Sequence, residues 1–407
     1  MTLRPHRLAR RTLNVRKEAE WPVMVTVEPV VRLPTIAREW GRIGCIGFGG
    51  PPAHIALLRR LCVDERGWLT AREFEDGLAT VNLLPGPAST QLAIFCAWRL
   101  RGRLGAVVGG VCFIVPGLVV ILGLSSIFLA SHPPLWIQGA AAGAGAAVAA
   151  VAVHASTRLM PASWRRNNDR ATRIRWLCYL AVGGTAAATV GPYLVLVLLA
   201  SGAVEVAVRT GPAHRWPHGA LALIPASIPA MGGLAALSWV AVKVGALSYG
   251  GGFVIIPLMQ RDAVTTYHWM TAAQFLNAVA LGQITPGPVM QTVAVVGYAA
   301  GGLGGALLAA LVAFTPSFVF VIGGAPHFDR LRSSAAVQSF LTGAGASAIG
   351  AIAGASIPLA LALTHLWQLG VLGLAAVWLL GLRRGVLPAL IAAGVLGVII
   401  VMSGASP

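Results

Sequence analysis

Acidic side chains are what this 407-residue chain has least of: after Asp76 only Asp169, Glu205, Asp262 and Asp329 follow. Charged residues of both signs make up 11% against 57% apolar, too little polar surface to coat a water-soluble globule of this length. The solvent must be largely lipid. Cys45, Cys62, Cys96, Cys112 and Cys178 are scattered, with no C-x-x-C pair and no His at metal-ligand spacing, and read as small buried apolar residues. No nucleotide fingerprint is present either, which argues against an enzyme such as a membrane reductase. Neither a cofactor nor a metal is expected. Residues 1–35 are basic from Arg4 to Lys17 but lack an apolar core of signal-peptide length. A cytoplasmic N-terminal tail fits them.

What is abundant is positive charge, 30 Lys and Arg against 13 Asp and Glu, for a net +17. In a soluble protein that would point to nucleic acid. Here the bases sit between apolar segments, as in the cluster Arg158, Arg165, Arg166, Arg170, Arg173 and Arg175, and so mark loops on the cytoplasmic side of a membrane. A spanning helix needs about 20 mostly apolar residues. Such stretches lie near 40–60, 77–98, 104–130, 134–156, 176–190 and 192–208, then near 238–258, 274–299, 302–324, 335–363, 366–382 and 386–403. Ala220 to Leu237 is a further apolar stretch, weakened by Pro225 and Pro229.

The chain also resembles itself. Sliding it by about 201 residues sets Trp40 to Ala93 on Ala241 to Ala294 with about 16 of 54 positions identical. The matches include Trp68 with Trp269, Phe74 with Phe275, and Pro85-Gly86-Pro87 with Pro286-Gly287-Pro288. Duplication explains them better than shared Ala/Gly/Leu richness. The divisions are a tail (1–35), a first repeat (36–210), a connecting segment (211–237) and a second repeat (238–407). Basic residues fall on alternate loops of the first repeat, and on the opposite set in the second, at Arg330, Arg332, Arg383 and Arg384. The expectation is an all-α polytopic protein of 12–13 spans, with the repeats inverted if Ala220 to Leu237 crosses the bilayer as a thirteenth. Twelve parallel spans with weak charge bias is the alternative.

Both repeats place Pro-Gly-Pro inside an apolar span, where two prolines flanking a glycine cannot continue a helix. In a bilayer such a break is tolerable only beside protein or a polar cavity. Pro87 and Pro288 suit the first turn of a restarting half-helix, whose free amides and positive dipole end attract anions. Ser89, Thr90 and Gln91, with Thr285, Gln291 and Thr292, could add neutral donors for a tetrahedral oxyanion that must be released again. A plain proline kink is the alternative. A second paired element sets Gly49 and Gly50 against Gly250, Gly251 and Gly252, as an anion nest, a hinge or close helix packing. Arg42 and Lys243 occupy matching positions just before these runs and could attract a dianion or snorkel to the interface. His54 has no counterpart and could titrate or hydrogen-bond in the core. The carboxylates near the spans, Glu75, Asp76, Glu205 and Asp262, read mostly as solvated interface residues, so no proton relay is assigned.

Phe48-Gly49-Gly50-Pro51, Ala53-His54-Ile55, Arg66-x-Trp68-Leu69, Leu84-Pro85-Gly86-Pro87 and Ser89-Thr90-Gln91-Leu92-Ala93 resemble the chromate ion transporter family. Tyr249-Gly250-Gly251-Gly252, Trp269-Met270-Thr271 and Thr285-Pro286-Gly287-Pro288-Val289 are similar to that family's second domain, with Met270 where a Leu is usual. The resemblance covers roughly residues 36–403, as in a long two-domain member. It implies a multi-pass inner-membrane protein that exports chromate and confers resistance, with sulfate as the transported ion in some relatives. Protons as coupling ion, a homodimer, and an uncoupled anion channel stay open.

Overall fold

The computed structural model describes residues 31–130, 132–165, 167, 169–189, 194–210, 233–248, 255–324 and 333–406. Part of the connecting segment and Gly250, Gly251 and Gly252 thus lie outside the described residues, as do Arg330 and Arg332. Every described element is helical. In order they are α1 (Leu33–Ile46), α2 (Pro51–Arg59), α3 (Ala71–Val81), α4 (Ala88–Phe128), α5 (Leu135–Ala146), α6 (Val148–Trp164), α7 (Arg170–Thr189), α8 (Leu194–Thr210), α9 (Gly233–Leu247), α10 (Ile255–Arg261), α11 (Ala272–Ile284), α12 (Thr292–Gly324), α13 (Ala335–Leu361), α14 (Leu366–Ala376) and α15 (Val386–Met402). Wider π-type turns extend α2 through Arg60–Glu65, α10 through Asp262–Thr266 and α14 through Val377–Gly381.

The contacts of these helices show where the chain reverses. Glu73, at the start of α3, pairs with Arg99, and Gly77 packs so closely on Phe95 that a Cβ would not fit. Residues 71–81 and 88–100 are therefore antiparallel arms of a hairpin with Pro85-Gly86-Pro87 at its tip. Gly86 takes φ +122° and Gly287 φ +90°, left-handed values that glycine alone adopts without strain. In the second repeat Gly282 packs on Thr292 across the other Pro-Gly-Pro. The preceding segments fold back too: Arg66 reaches Glu39 at 2.9 Å and Arg42 reaches Glu65 at 3.9 Å, so α1 and α2 run antiparallel about residues 47–50.

This corrects the sequence expectation, in which 40–60 and 77–98 each crossed the bilayer. Eleven residues in α3 make an arm of about 16 Å at 1.5 Å per residue, short of a hydrocarbon core of about 30 Å. Folded back on each other, the two arms have their outer ends side by side, at Glu73 and Arg99. Further on, α4 turns sharply at Arg101 and Gly102, and α12 at Gly301 and Gly302 with nearly the same angles. Residues 103–128 form a long arm on which Val107, Val111, Val115 and Val119 lie exposed at four-residue spacing, an apolar stripe suited to lipid. Its other face buries Phe113 and packs on α1 and α12.

Lipid tails are as apolar as leucine, so close backbone approach replaces burial from water as the packing force. Gly183, Gly350 and Gly354 bring α7 against α13 with no room for a Cβ, and Gly343 does the same for α13 against α8. Four helical stretches have the length and composition to cross a membrane: Ala88–Phe128, Leu135–Trp164, Val289–Gly324 and Ala335–Leu361. The connecting helix expected at Ala220 to Leu237 overlaps α9, which begins at Gly233. Of the cysteines, Cys62 and Cys96 are buried as expected, but Cys45 and Cys178 are exposed.

Candidate functional site

Both Pro-Gly-Pro tips are buried in protein, save for the half-buried Pro85. Their depth is set by the long arms. Gln291 donates from Nε2 to Ile114 O at 2.8 Å, and Gly117 packs directly on Pro286 O; Ile114 and Gly117 stand midway along residues 103–128. Gly44 lies against Phe113 O, and Gly245 against Ala313 O, at the same level of α4 and α12.

Three helix starts meet there. Helix α2 begins after Gly50, α4 after Pro87 and the short turn Val289–Gln291 after Pro288, each without a side-chain cap. His54, in the first turn of α2, lies 3.3 Å by Nδ1 from Ser89 Oγ in the first turn of α4. A Cβ on Gly50 would stand 3.5 Å from Val289. Helix starts leave amides without intrahelical partners and carry the positive end of the dipole. Uncapped starts of this kind have the chemistry of an anion cradle.

The residues singled out from sequence divide accordingly. Gly47 O accepts from both His54 Nε2, at 2.8 Å, and Gly287 N, at 3.0 Å, which joins the glycine break of one repeat to the tip of the other. Since a carbonyl only accepts, His54 carries its proton on Nε2, and Nδ1 accepts from Ser89 when the ring is neutral. Thr285 and Thr292 return their hydroxyls to their own helices, at Leu281 O and Val289 O. Gln91 donates to Pro85 O at 2.6 Å, inside its own tip. Thr90 Oγ1, Gln91 Oε1, Gln291 Oε1, Gln283 Nε2, Ser248 Oγ and Ser317 Oγ are buried without a protein partner. Such groups are costly unless water or solute satisfies them.

Arg42 and Lys243 do not stand as free cations. Arg42 is half-exposed and bridges Glu39 at 3.4 Å and Glu65, while Lys243 is buried against Asp262. The carboxylates divide: the Glu75 and Asp76 side chains are exposed as expected, but Asp262 is 4% and Glu205 1% exposed, and Glu205 accepts from Arg175 at 2.9 Å, from Tyr179 at 3.1 Å and from Arg209. Sequence reading also missed Ile114, Gly117 and Ser317. Pro116 and Pro316, at matching places in α4 and α12, were the available signal.

A cavity of about 210 Å³ opens beside the first tip, lined by Asn82, Gly86 and Ala88 together with Ser163 of α6 and Gly345 of α13. At about 30 Å³ per water it has room for a small solvated ion. A larger cavity, about 450 Å³, lies by the open end of α11 and carries Gln138, Asn277 and Gln368.

The profile of the family described as "Chromate transporter" matches residues 34–206 and 235–398. The chain is 33% identical to the "Chromate transport protein" of Cupriavidus metallidurans over 83% of its length and 84% of the relative's. It is 28% identical to the "Probable chromate transport protein" of Synechococcus elongatus (92% and 98% covered) and 30% identical to the "Chromate transport protein" of Pseudomonas aeruginosa (82% and 82%). No solved structure matches it. With the family's profile matched in both halves of a multi-pass helical chain, this protein belongs to the chromate transporter family.

Proposed function

We propose that this protein is a secondary transporter that exports chromate, a tetrahedral dianion, across the inner membrane. The observation that carries the reading is the meeting of three uncapped, buried helix starts midway along the long arms, which supports an anion site built from amides and hydroxyls. Neutral donors suit a solute that must leave again. Sulfate has the same shape and charge, and a site of this kind separates the two weakly.

Alternating access follows from the paired tips. In the arrangement observed, Gln291 reaches across to the other repeat while Gln91 bonds within its own tip, and the cavity lies at the Gln91 side. The opposite-facing state would exchange these roles, with Gln91 docking on α12 near Pro316 and Ser317. Rocking of one inverted repeat against the other about a central site is the corresponding motion. Basic residues of the 158–175 loop, beyond Ser163, favour that end as the cytoplasmic mouth, with the N-terminus on the same side.

Uptake of chromate and sulfate into inverted membrane vesicles, with and without an imposed pH gradient, tests the reading. Accumulation of chromate above its equilibrium level is expected. Flux that never runs uphill would instead indicate an anion channel, and no flux of either ion would remove the substrate assignment.

A further inference from the structure

The cavity of about 450 Å³ at the open end of α11 and the one of about 210 Å³ beside the first tip lie at opposite ends of the same helices. Gln138 lines the larger and Ser163 the smaller, at the two ends of the stretch Leu135–Trp164. On α13, Gly345 lines the smaller and Ala362, which caps the helix, lines the larger, about 25 Å apart at 1.5 Å per residue. Three helices begin at the larger cavity, α5, α11 and α14, and none has an acidic residue in its first turn, where the helix dipole favours one. Glutamine stands within the first four residues of each, at Gln138, Gln274 and Gln368. Capping does not account for the choice. Gln274 and Gln368 accept from the amides of Thr271 and His365, as Glu73 does from Thr70, and either side chain completes such a box.

The duplication shows what has been removed. Ala273, Gln274, Leu276 and Asn277 line the cavity, and they occupy the places of Arg72, Glu73, Glu75 and Asp76 in α3. Three carboxylates and a guanidinium give way to two amides and two apolar groups. Among the described residues no Asp, Glu, Lys or Arg lines this cavity. An ionised carboxylate can only accept hydrogen bonds, whereas a carboxamide of the same shape offers two N–H donors. Gln368 is 7% exposed, and its Oε1 accepts from the Thr364 and His365 amides. Its Nε2 donates to no protein group among the described residues. Asn277 likewise makes no hydrogen bond to a described residue, and Gly145 of α5 leaves room for its Oδ1, which would stand 2.7 Å from a Cβ there. A buried donor of this kind is costly until something accepts from it.

Resting on the transport reading above, we propose that this cavity is a second oxyanion site, a far-side vestibule in which Gln368 Nε2, the Asn277 amide and the start of α11 hold chromate between the tips and release. Helix α11 joins the two places: Asn277 stands about two turns before Ile284, where the helix gives way to the second tip. Amide donors with no counter-charge hold a dianion loosely, which suits the last station before water. The mouth at Ser163 lies at the other end of the path.

The test is exchange of radioactive for unlabelled chromate across inverted membrane vesicles containing the full-length protein, with the concentration varied on one face while the other is held saturating. The Ser163 mouth then faces the medium and the vestibule faces the lumen. Gln274→Glu/Asn277→Asp restores two carboxylates of the first repeat, and Gln368→Glu adds one while still able to complete its capping box. Each should raise the luminal KM at least about tenfold, as expected of a carboxylate within a few ångströms of a dianion. The medium-side KM should change less than about twofold, because the mouths stand about 25 Å apart and salt screens beyond about 8 Å. Asn277→Leu removes a donor without adding charge, and so gives a result even where a carboxylate variant fails to insert; it should raise the luminal KM about tenfold, the worth of one hydrogen bond to a charged group. Wild-type luminal KM in Asn277→Leu or in both carboxylate variants overturns the proposal, as does an equal change on both faces or a change on the medium side alone. Any of these results leaves the oxyanion site at the tips standing. Absence of chromate and sulfate exchange in wild type overturns the transport reading with it.

Discussion

The two tips share the Pro-Gly-Pro motif and a left-handed glycine, yet they hold different bonds. The second is fastened to the opposite repeat through Gln291 to Ile114 O and Gly287 to Gly47 O. The first keeps its glutamine for its own Pro85 O and borders a cavity. Asn82 is exposed at the first tip, whereas its equivalent Gln283 is buried with Nε2 unpartnered. One shared motif in otherwise different sequence thus supports two bonding patterns, which is what the proposed alternation between two states asks of a duplicated part.

The largest effect is expected from replacing the tip glycines. Gly86→Leu and Gly287→Leu each force a side chain into a left-handed conformation at a cost of about 1–3 kcal/mol, and chromate flux should fall at least about tenfold in both while membrane insertion, read by protease protection, persists. Full flux in one of them would show that only one tip works. A middle-sized effect separates the glutamines. Gln291→Ala removes a bond between repeats worth about 1 kcal/mol and should move the balance of states about fivefold, whereas Gln91→Ala should favour the state observed. Spectroscopic distances between the tips would report equal shifts if the two were equivalent.

A smaller difference should appear in labelling. A cysteine at Asn82 should react with a water-soluble thiol reagent, and one at Gln283 should be protected; the reverse order would invert the assignment of the open side. The smallest effect is acid sensitivity outside the spans. Both α3 and α11 start with a capping box, but Thr70 partners Glu73 where Thr271 partners Gln274. The Thr70 amide, with help from Arg99, holds the Glu73 carboxyl below its ordinary value of 4.5. Its stabilising contribution is complete above that value and lost as pH falls through the lowered one. Hydrogen exchange in the first turn of α3 should therefore accelerate in acid while that of α11 does not; parallel acceleration would break the contrast.

Much of this arrangement was legible in the residues. Pro-Gly-Pro in both halves announced broken helices, and the repeat predicted their pairing. What hydropathy does not distinguish is a break from a reversal, because arms folded back on each other have the same apolar content as one interrupted span. The complementary charges of Glu73 and Arg99, placed either side of the tip, held that information. The partner of Gln91 was also displaced. Without a gap it aligns with Thr292, but the second tip restarts through the short turn Val289–Gln291 and so brings Gln291 to the equivalent place. Lys243 and Asp262 escaped notice as a pair since they belong to separate elements.

The shortness of the hairpin arms reaches into how this protein is made. An arm of 11 residues, such as α3, is below the length at which a segment is handed individually to the bilayer. Its partner arm cannot be placed without the long helix that follows. The tips must therefore wait at the surface of the nascent protein until residues 103–128, and later the second long arm, are in place to receive them. Insertion then ends at the midpoint of those two helices, where the proposed oxyanion site lies.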